Sequence, residues 1–462
     1  MGKIIFSQNT YAYEFTNIEV FFKYKNITFF STDDLTKVGK ANGVSQAREF
    51  KLNCITRIED HEGINESNRY NRANILTVLG VVSFFVGIPL TVYHKTTGKD
   101  TLRPNTSIEE KALKLIIEDE DYTQQLKSVL EKLESDEEVI VSLLDRWRKA
   151  NYLVNESVDA NLYHDEAILN YFHIIELICE IYSKGLRIDL EKNIEKYVEE
   201  FYKQNFFFNE NQLQSQVNSV KKVFTELLIG RDLALSHKIK FVLNKFNMLN
   251  PFVEYFIDSV IKTRNAIAHG RFTYQDKLSW PLPPFFFMSN DSSEILDSLN
   301  FLTARLIACY LEIECWKKEW EEVDEDLMPP DKLLEKFLKD VTEFPELNSE
   351  SINEPNQYHI TWRSIFKHYV SNPKKFKIDQ IEIALKSFFI NCTLNESTAN
   401  DLFDISVVLS DSKDEEIQNR AIKNIDLIVQ NRWYAWSNKR DIYSYLEKMN
   451  VPPVWYLSYL KQ

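Results

Sequence analysis

The sequence contains one uncharged apolar run, ILTVLGVVSFFVGIPLTVY at positions 75–93, that has to be buried either in a protein core or in a bilayer. The run is just long enough to span a membrane, but Gly80, Gly87 and Pro89 interrupt it. Its last part, PLTVYH, has the β-branched composition of a strand. We therefore expect a buried helix of about three turns followed by a core strand, with a membrane-anchored interaction protein as the alternative.

The rest of the composition favours a mostly helical protein. Glycine is scarce, with 10 residues in 462, while 44% of the chain is hydrophobic. A formal charge of −14 repels polyanions, so we expect no DNA partner, and any contact with RNA must be local. The five cysteines form no C-x-x-C pair, which indicates neither a disulfide framework nor a zinc site and fits a reducing cytoplasm.

The first hundred residues differ in pattern from the remainder. Aromatic and β-branched runs in TYAYEFTNIEVFFKYKNITFFST and in REFKLNCITRIED predict strands. We therefore predict a small α+β domain over residues 1–104, with a sensing or regulatory role. From Ser107 onward, apolar residues recur at spacings of three and four, and Ser107 with Glu110 resembles a capping box, so the helical pattern is expected to begin there.

Further amphipathic stretches predict a central helical bundle over residues 105–325. The predicted helices lie at about 161–183, 190–204, 211–228, 251–269 and 292–320. The acidic, proline-containing segment VDEDLMPPD predicts a linker. Beyond it we expect a helical C-terminal region, residues 331–462, whose role the sequence does not reveal.

The predicted helix at 251–269 has clear ends and an unusual last part. Asn250 and Pro251 are suited to its start, and Gly270 to its end. The apolar pairs spaced by four residues continue into Arg264/Asn265 and then Ala268/His269. Because a buried arginine needs a carboxylate, phosphate or carbonyl partner, these polar residues indicate a site or an interface. The competing interpretation is a basic helix end that only complements the helix dipole.

Local charge supports contact with phosphate. Residues 231–271 contain seven basic and three acidic residues, an excess of four positive charges within an acidic chain. Lys238, Lys240 and Lys262 belong to this basic stretch and are the candidate RNA-binding residues.

The same residues carry a family resemblance. RNAIAHG resembles the R-x4-6-H signature of HEPN domains, a superfamily of small helical bundles, in the version in which a polar residue follows the arginine. RWRKANYL and AILNYFHIIELICEIY are similar to early helices of the ApeA type of HEPN protein from bacterial anti-phage defence, and VVSFFVGIPLTVY is similar to a core helix and strand of such proteins. The resemblance covers about residues 70–322, and the region 331–462 is not matched.

The resemblance implies a metal-independent endoribonuclease without a cofactor, acting as a homodimer or higher homo-oligomer. It is expected to be an anti-phage defence or toxin-like effector in the cytoplasm. RNA, with tRNA as one candidate, would be the substrate, a phage-derived molecule the trigger, and no membrane partner is expected. Arg264, Asn265 and His269 would be catalytic, with Gly270 and Arg271 in support. The alternative is a non-catalytic HEPN-like scaffold for dimerisation or nucleotide binding.

Two other groups of residues have weaker assignments. Glu176, among Ile174, Ile175 and Ile178, is expected to be a buried carboxylate that pairs with a base such as Arg264. A metal site using Glu166, His173, Glu176 and Glu180 is disfavoured, because a di-iron bundle needs Glu-x-x-His from two helices. Arg146 and Arg148 in RWRKA are expected on a solvated helix face, with RNA contact as the alternative.

Overall fold

The computed structural model describes residues 3–13, 17–40, 43–58, 67–92, 95–103, 111–155, 163–206, 209–229, 234–270, 292–433, 442–444, 446–447 and 450–461. It confirms a mainly helical protein with a small N-terminal antiparallel sheet. The chain forms two compact units, residues 1–185 with 299–317 and residues 186–298 with 318–462. The division into three domains that the sequence suggests stays a prediction.

The sheet has seven strands in the order β5-β1-β4-β3-β2-β6-β7, and its paired strands are antiparallel. The strands are β1 Lys3–Tyr13, β2 Ile18–Tyr24, β3 Ile27–Lys40, β4 Gly43–Ile58, β5 Lys95–Thr101, β6 Lys114–Ile117 and β7 Glu120–Asp121. The runs IEVFF and ITFF, both within the first stretch expected to contain strands, form the hairpin β2–β3, in which Phe22 pairs with Phe29. Phe29 is fully buried and stacks on Phe50 of β4, so the aromatic residues form the core of the sheet.

The helices up to residue 325 are α1 Ser67–Val86, α2 Thr123–Ser135, α3 Glu137–Asn155, α4 His164–Phe206, α5 Glu210–Ile229, α6 Leu235–Lys245, α7 Pro251–Ala268, α8 Ser292–Leu311 and α9 Lys317–Glu325. The later helices are α10 Asp331–Lys339, α11 Trp362–Ser371, α12 Ile378–Asn391, α13 Ala399–Leu409, α14 Glu415–Asn431 and α15 Val454–Leu460. The stretches expected at 161–183 and 190–204 form one helix, α4, whereas the stretch at 292–320 is divided between α8 and α9.

Helix α1 explains the uncharged run. It contacts strands β1, β3 and β4 as well as helix α3, and from Thr77 to Phe85 every residue is buried. The one hydroxyl in the middle of this stretch is satisfied, since Ser83 Oγ donates to the Leu79 carbonyl and accepts from the Leu90 amide. The run is therefore apolar on all sides because protein covers it on all sides. No helix in the described ranges is long and apolar enough to cross a bilayer.

Residues 89–92 do not form the core strand expected at the end of this run, so that prediction is wrong for the part of it that the structure describes. The chain turns at Gly87, whose φ of +77° suits glycine and whose missing side chain leaves room for the Trp316 ring, 3.1 Å from where a Cβ would lie. The carbonyls that follow bond to side chains and not to a neighbouring strand. Leu90 O accepts from Arg148, and Thr91 O accepts from the Tyr13 hydroxyl.

The helix expected from Ser107 is also displaced. Residues 114–117 form strand β6, which pairs with β2 at the sheet edge, and the first helix of this part begins at Thr123. The buried Leu115 and the positive φ angles of Glu118 (48°) and Asp119 (71°) specify a strand followed by a tight turn into β7. The sequence has helical spacing here, but the segment forms a strand because the edge of β2 was open for pairing. The proposed capping box, Ser107 with Glu110, lies outside the described residues.

Gly80 gives a direct test of the packing of α1 on α3. A Cβ at this position would lie 3.6 Å from Leu144 Cβ, which is ordinary van der Waals contact. Gly80→Ala is therefore expected to raise the free energy of unfolding by up to about 1 kcal/mol, because alanine is the better helix former. Gly80→Phe is expected to lower it by about 1–3 kcal/mol through overpacking. Urea unfolding of both variants measures this, and equal stabilities would contradict the close approach of the two helices.

Two separate hydrophobic clusters can be described in the second unit from the residues that the structure covers. One extends over the helices from α10 to α15 and includes the fully buried Trp362 and Tyr456. The other lies in the helical hairpin made by α5 and the second half of α4, and its buried members are Val198, Leu213 and Val217. Eight large apolar side chains of this hairpin are exposed, namely Ile188, Tyr197, Phe201, Phe206, Val223, Phe224, Leu227 and Leu228.

The segment predicted to be a linker is well packed. Between the end of α9 and the start of α10, Leu327 is buried and its carbonyl oxygen lies 2.7 Å from His359 Nδ1. The Pro329 carbonyl oxygen lies 2.9 Å from Nε2 of the buried His368. The segment therefore connects the two helices as a fixed part of the second unit.

Candidate functional site

Helix α7 begins and ends as its sequence predicts. Asn250 caps the start, because its side-chain oxygen accepts from the Phe252 amide at 2.9 Å and the Val253 amide at 2.8 Å. At the other end His269 is the C-cap, and its amide donates to the Asn265 carbonyl at 3.1 Å. Gly270 follows with a φ of +64°, the left-handed conformation expected of a residue that stops a helix.

The buried face of α7 includes Arg264 but not Asn265 or His269. Residues Val253, Ile257, Val260 and Ile267 are buried, and the half-buried Arg264 completes this series at alternating spacings of four and three. Asn265 and His269 are exposed, so the expectation that they continue the buried stripe is wrong. The error arose because the apolar pairs were extended at a strict spacing of four, whereas a helix of 3.6 residues per turn rotates such a row away from the buried face.

The exposed end of α7 brings two of the expected catalytic residues into contact. Arg264 Nη1 donates to Asn265 Oδ1 at 3.1 Å, while Arg264 Nε is shielded from solvent. Because its side-chain oxygen is engaged, Asn265 has its amide nitrogen to donate to a phosphate oxygen, beside the Arg264 guanidinium. His269 lies five residues after Arg264, about 140° around the axis and about 7.5 Å along it. One copy of the helix thus presents Arg264 with Asn265 as a pair, and His269 in the next turn.

The basic stretch is partly neutralised by α7 itself. Lys240 on α6 contacts Glu254 at 2.8 Å and Asp258 at 3.3 Å, and these carboxylates, Glu254 first, raise its pKa. Lys238 is half-buried. Lys262 is exposed on α7 and makes no ion pair within the described part of the chain. Of the three candidate RNA-binding lysines, Lys262 is the one presented to solvent near His269.

Glu176 is half-buried on α4 in the first unit, whereas Arg264 belongs to the second unit, and their pairing stays a prediction. Arg271 lies outside the described residues. Among the described residues no group of three His, Cys, Asp or Glu side chains is arranged to hold a metal ion.

Both arginines of RWRKA occupy positions other than a solvated face, and that prediction is wrong. Arg148 is buried, and it donates to the Leu90 carbonyl at 3.0 Å and to Asp145 at 2.6 Å. The half-buried Arg146 lies 3.1 Å from Nδ1 of His173. The charge of Arg148 is compensated by the Asp145 carboxylate, whose pKa is lowered in spite of its burial by hydrogen bonds from Lys149 and Arg148. The contacts of Arg148 therefore stabilise the first unit.

A second group of functional candidates was not apparent from the sequence. Asp331 Oδ1 accepts from the Tyr255 hydroxyl at 2.7 Å and lies 3.2 Å from His368 Nδ1, while Oδ2 lies 2.6 Å from Lys375 Nζ. These partners, His368 first, hold the pKa of Asp331 well below its usual range. Burial, and then Asp331, raises the pKa of Tyr255. Because Asp331 lies 76 positions from Tyr255 and 44 from Lys375, no local motif could have indicated this group.

Neither protein-family models, nor curated proteins, nor solved structures give a match to the chain.

Proposed function

We propose that the protein is a metal-independent endoribonuclease whose active site is the C-terminal end of α7. The observation that carries this proposal is the combination of the half-buried Arg264, held by Asn265, with the exposed His269 at a sharply terminated helix end. The exposed His269 is accessible to a macromolecular substrate. Lys262 adds an exposed positive charge about two helical turns before His269. The resemblance of RNAIAHG to HEPN ribonucleases points to the same chemistry.

In this mechanism each residue has one role. His269 accepts the proton of the ribose 2′-hydroxyl or donates one to the leaving 5′-oxygen, which suits an imidazole at neutral pH. Arg264 binds the scissile phosphate and offsets the charge that develops on it. Asn265 orients the Arg264 guanidinium and donates its amide N–H to a phosphate oxygen. A second copy of α7 in a homodimer would supply the other member of the acid–base pair.

The products of the reaction test the proposal. When the purified protein is incubated with total RNA or tRNA in the presence of EDTA, we expect fragments that end in a 2′,3′-cyclic phosphate and a 5′-hydroxyl. These ends follow from attack by the 2′-oxygen, and mapping them by ligation and phosphatase treatment distinguishes them from other products. Fragments with 3′-hydroxyl and 5′-phosphate ends, or cleavage that EDTA abolishes, would contradict the mechanism.

One observation favours a second candidate, a non-catalytic scaffold for dimerisation or nucleotide binding. Arg264 is only half exposed and hydrogen-bonds within its own helix, as a structural arginine would. Sedimentation of the wild type and of Arg264→Ala separates the two functions. A scaffold predicts a dimer that dissociates in the variant and cleaves no RNA, whereas the enzyme predicts that the wild type cleaves RNA and that expressing it arrests growth, as a defence or toxin-like effector would.

A further inference from the structure

A cleft of about 530 Å³ lies within the second unit, away from the proposed catalytic end of α7. The first half of α7 lines the cleft with Tyr255, Phe256 and Ser259. The other lining residues come mainly from α11 with the segment before it and from the end of α9. A volume of this size is typical of pockets that bind small molecules or short peptide segments.

The framework of the cleft is fixed before any ligand arrives. His359, with a φ of +52°, stacks on Phe252 with a centroid distance of 3.5 Å and holds the Leu327 carbonyl. Asn250 donates to both carboxylate oxygens of Asp324, at 3.0 and 2.8 Å, which fixes the end of α9 against the start of α7. A preformed cleft loses little conformational entropy when it binds a ligand.

One part of the cleft lining is apolar. Leu327 and Phe376 are buried, and Phe256, Met328 and Ile295 are half-buried, with all five lining the cavity. Such a surface binds methylene groups and aromatic rings rather than a small hydrated ion.

The rim of the cleft carries uncompensated negative charge. Glu325, Asp326 and Glu354 are exposed lining residues, and none makes an ion pair with a described residue. They belong to two separate segments, the end of α9 and the segment before α11, which line the same cleft.

The cations of the cleft have acidic neighbours within the chain. Arg363 and Lys367 on α11 lie near Asp401 and Asp404 on α13, where their charges act on the Asp404 carboxyl. Burial and the nearby Asp401 outweigh them and raise the pKa of Asp404 to about 7. Six carboxylates but only these two lysine or arginine cations line the cleft, so the formal charge that a ligand meets is negative.

We propose that this cleft binds a basic segment of a partner protein, with a lysine or arginine side chain entering it. Such side chains combine an apolar stem with a charged head, and they would place the stem on Phe256 and Leu327 and the head at the carboxylates of Glu325, Asp326 and Glu354. Acidic peptides and nucleic acid are disfavoured, because the rim and the chain as a whole are negative. The site is independent of whether the end of α7 cleaves RNA.

Fluorescence polarisation with a labelled peptide tests the proposal. The probe is a hexapeptide of alternating lysine, arginine and phenylalanine, and the comparison is the same peptide with glutamate at each basic position. The full-length wild type is expected to bind the basic peptide and not the acidic one, and the affinity should fall when the salt concentration is raised.

Charge-matched variants locate the binding. The triple variant Glu325→Gln, Asp326→Asn, Glu354→Gln is expected to raise the Kd for the basic peptide about tenfold, since rim charges contribute modestly and act together. The control triple variant Glu319→Gln, Glu321→Gln, Glu396→Gln removes the same charge from exposed residues outside the cleft and should leave the Kd unchanged. Equal weakening in both variants would overturn the proposal, as would binding of spermidine without binding of the peptide.

Discussion

Replacing His269 by alanine is expected to slow RNA cleavage by about 10²–10⁴-fold, the usual contribution of a general acid or base. The fold should not change. His269 is exposed, and its part in ending α7 is played by its backbone amide, which alanine retains. The measurement is the initial rate of cleavage of a labelled RNA, made beside thermal unfolding of the same preparations. A large loss of rate at an unchanged melting temperature separates chemistry from stability.

The matched control is His237→Ala. His237 is also exposed and lies on α6 in the same unit, so it offers the same imidazole without a place at the end of α7. We expect this variant to cleave RNA at the wild-type rate. A His269→Ala variant that is as active as the control would remove His269 from the mechanism, whatever the products of the wild type are.

Replacing Asp331 by asparagine is expected to lower the free energy of unfolding by about 2 kcal/mol at neutral pH. The carboxylate joins α7, α10 and α11, because it accepts from Tyr255 and contacts both His368 and Lys375. His368 is only 3% exposed, so water cannot replace the Asp331 carboxylate as its partner. Removing one partner of a fully buried ion pair costs about 3–5 kcal/mol, and the side chain of Asp331, 35% exposed, justifies a smaller value.

The pH dependence of this stabilisation has a defined sign. The pKa of Asp331 is lower in the folded protein than its ordinary value of 3.8, so the unfolded chain takes up the proton first. The stabilisation is therefore complete above about pH 5 and is lost as the pH falls below about 4 toward the folded pKa. Urea unfolding between pH 7 and pH 3 should show the stabilities of the wild type and of Asp331→Asn converging at the acidic end.

Asp326→Asn provides the reference for this measurement. Asp326 is an exposed aspartate close in the chain that makes no ion pair with a described residue. It should change stability by less than about 0.5 kcal/mol at any pH in the range. If Asp331→Asn behaved in the same way, the contacts of Asp331 would have no net stabilising value.

The sequence predicted local structure well wherever one residue type determines it. Asn250 and Pro251 start α7 and Gly270 ends it, because capping and a left-handed φ depend on the residue itself. The apolar run at 75–93 was correctly expected to contain a core helix. Its covering by the sheet and α3 could not be derived from a single stretch of sequence.

The failures at Leu115 and Arg148 and the missed contacts of Asp331 share one cause, which is that a distant segment decided the outcome. Leu115 belongs to a strand because the edge of β2 was open to it. Arg148 is buried because Leu90 and Asp145 accept its hydrogen bonds. Asn265 and His269 were assigned to the buried face on spacing alone, although the burial of Ile267 shows the face turning away from them. The contacts of Asp331 joined residues that no periodicity connects.

The helical hairpin of α5 and the second half of α4 has a consequence for motion. Among the described residues its own core has three buried apolar side chains, Val198, Leu213 and Val217, whereas the helices from α10 to α15 share a far larger core. The free energy needed to open the hairpin is therefore much smaller than that needed to unfold the C-terminal helices. Its backbone amides will therefore exchange with solvent through local opening, and faster than the amides of the C-terminal helices.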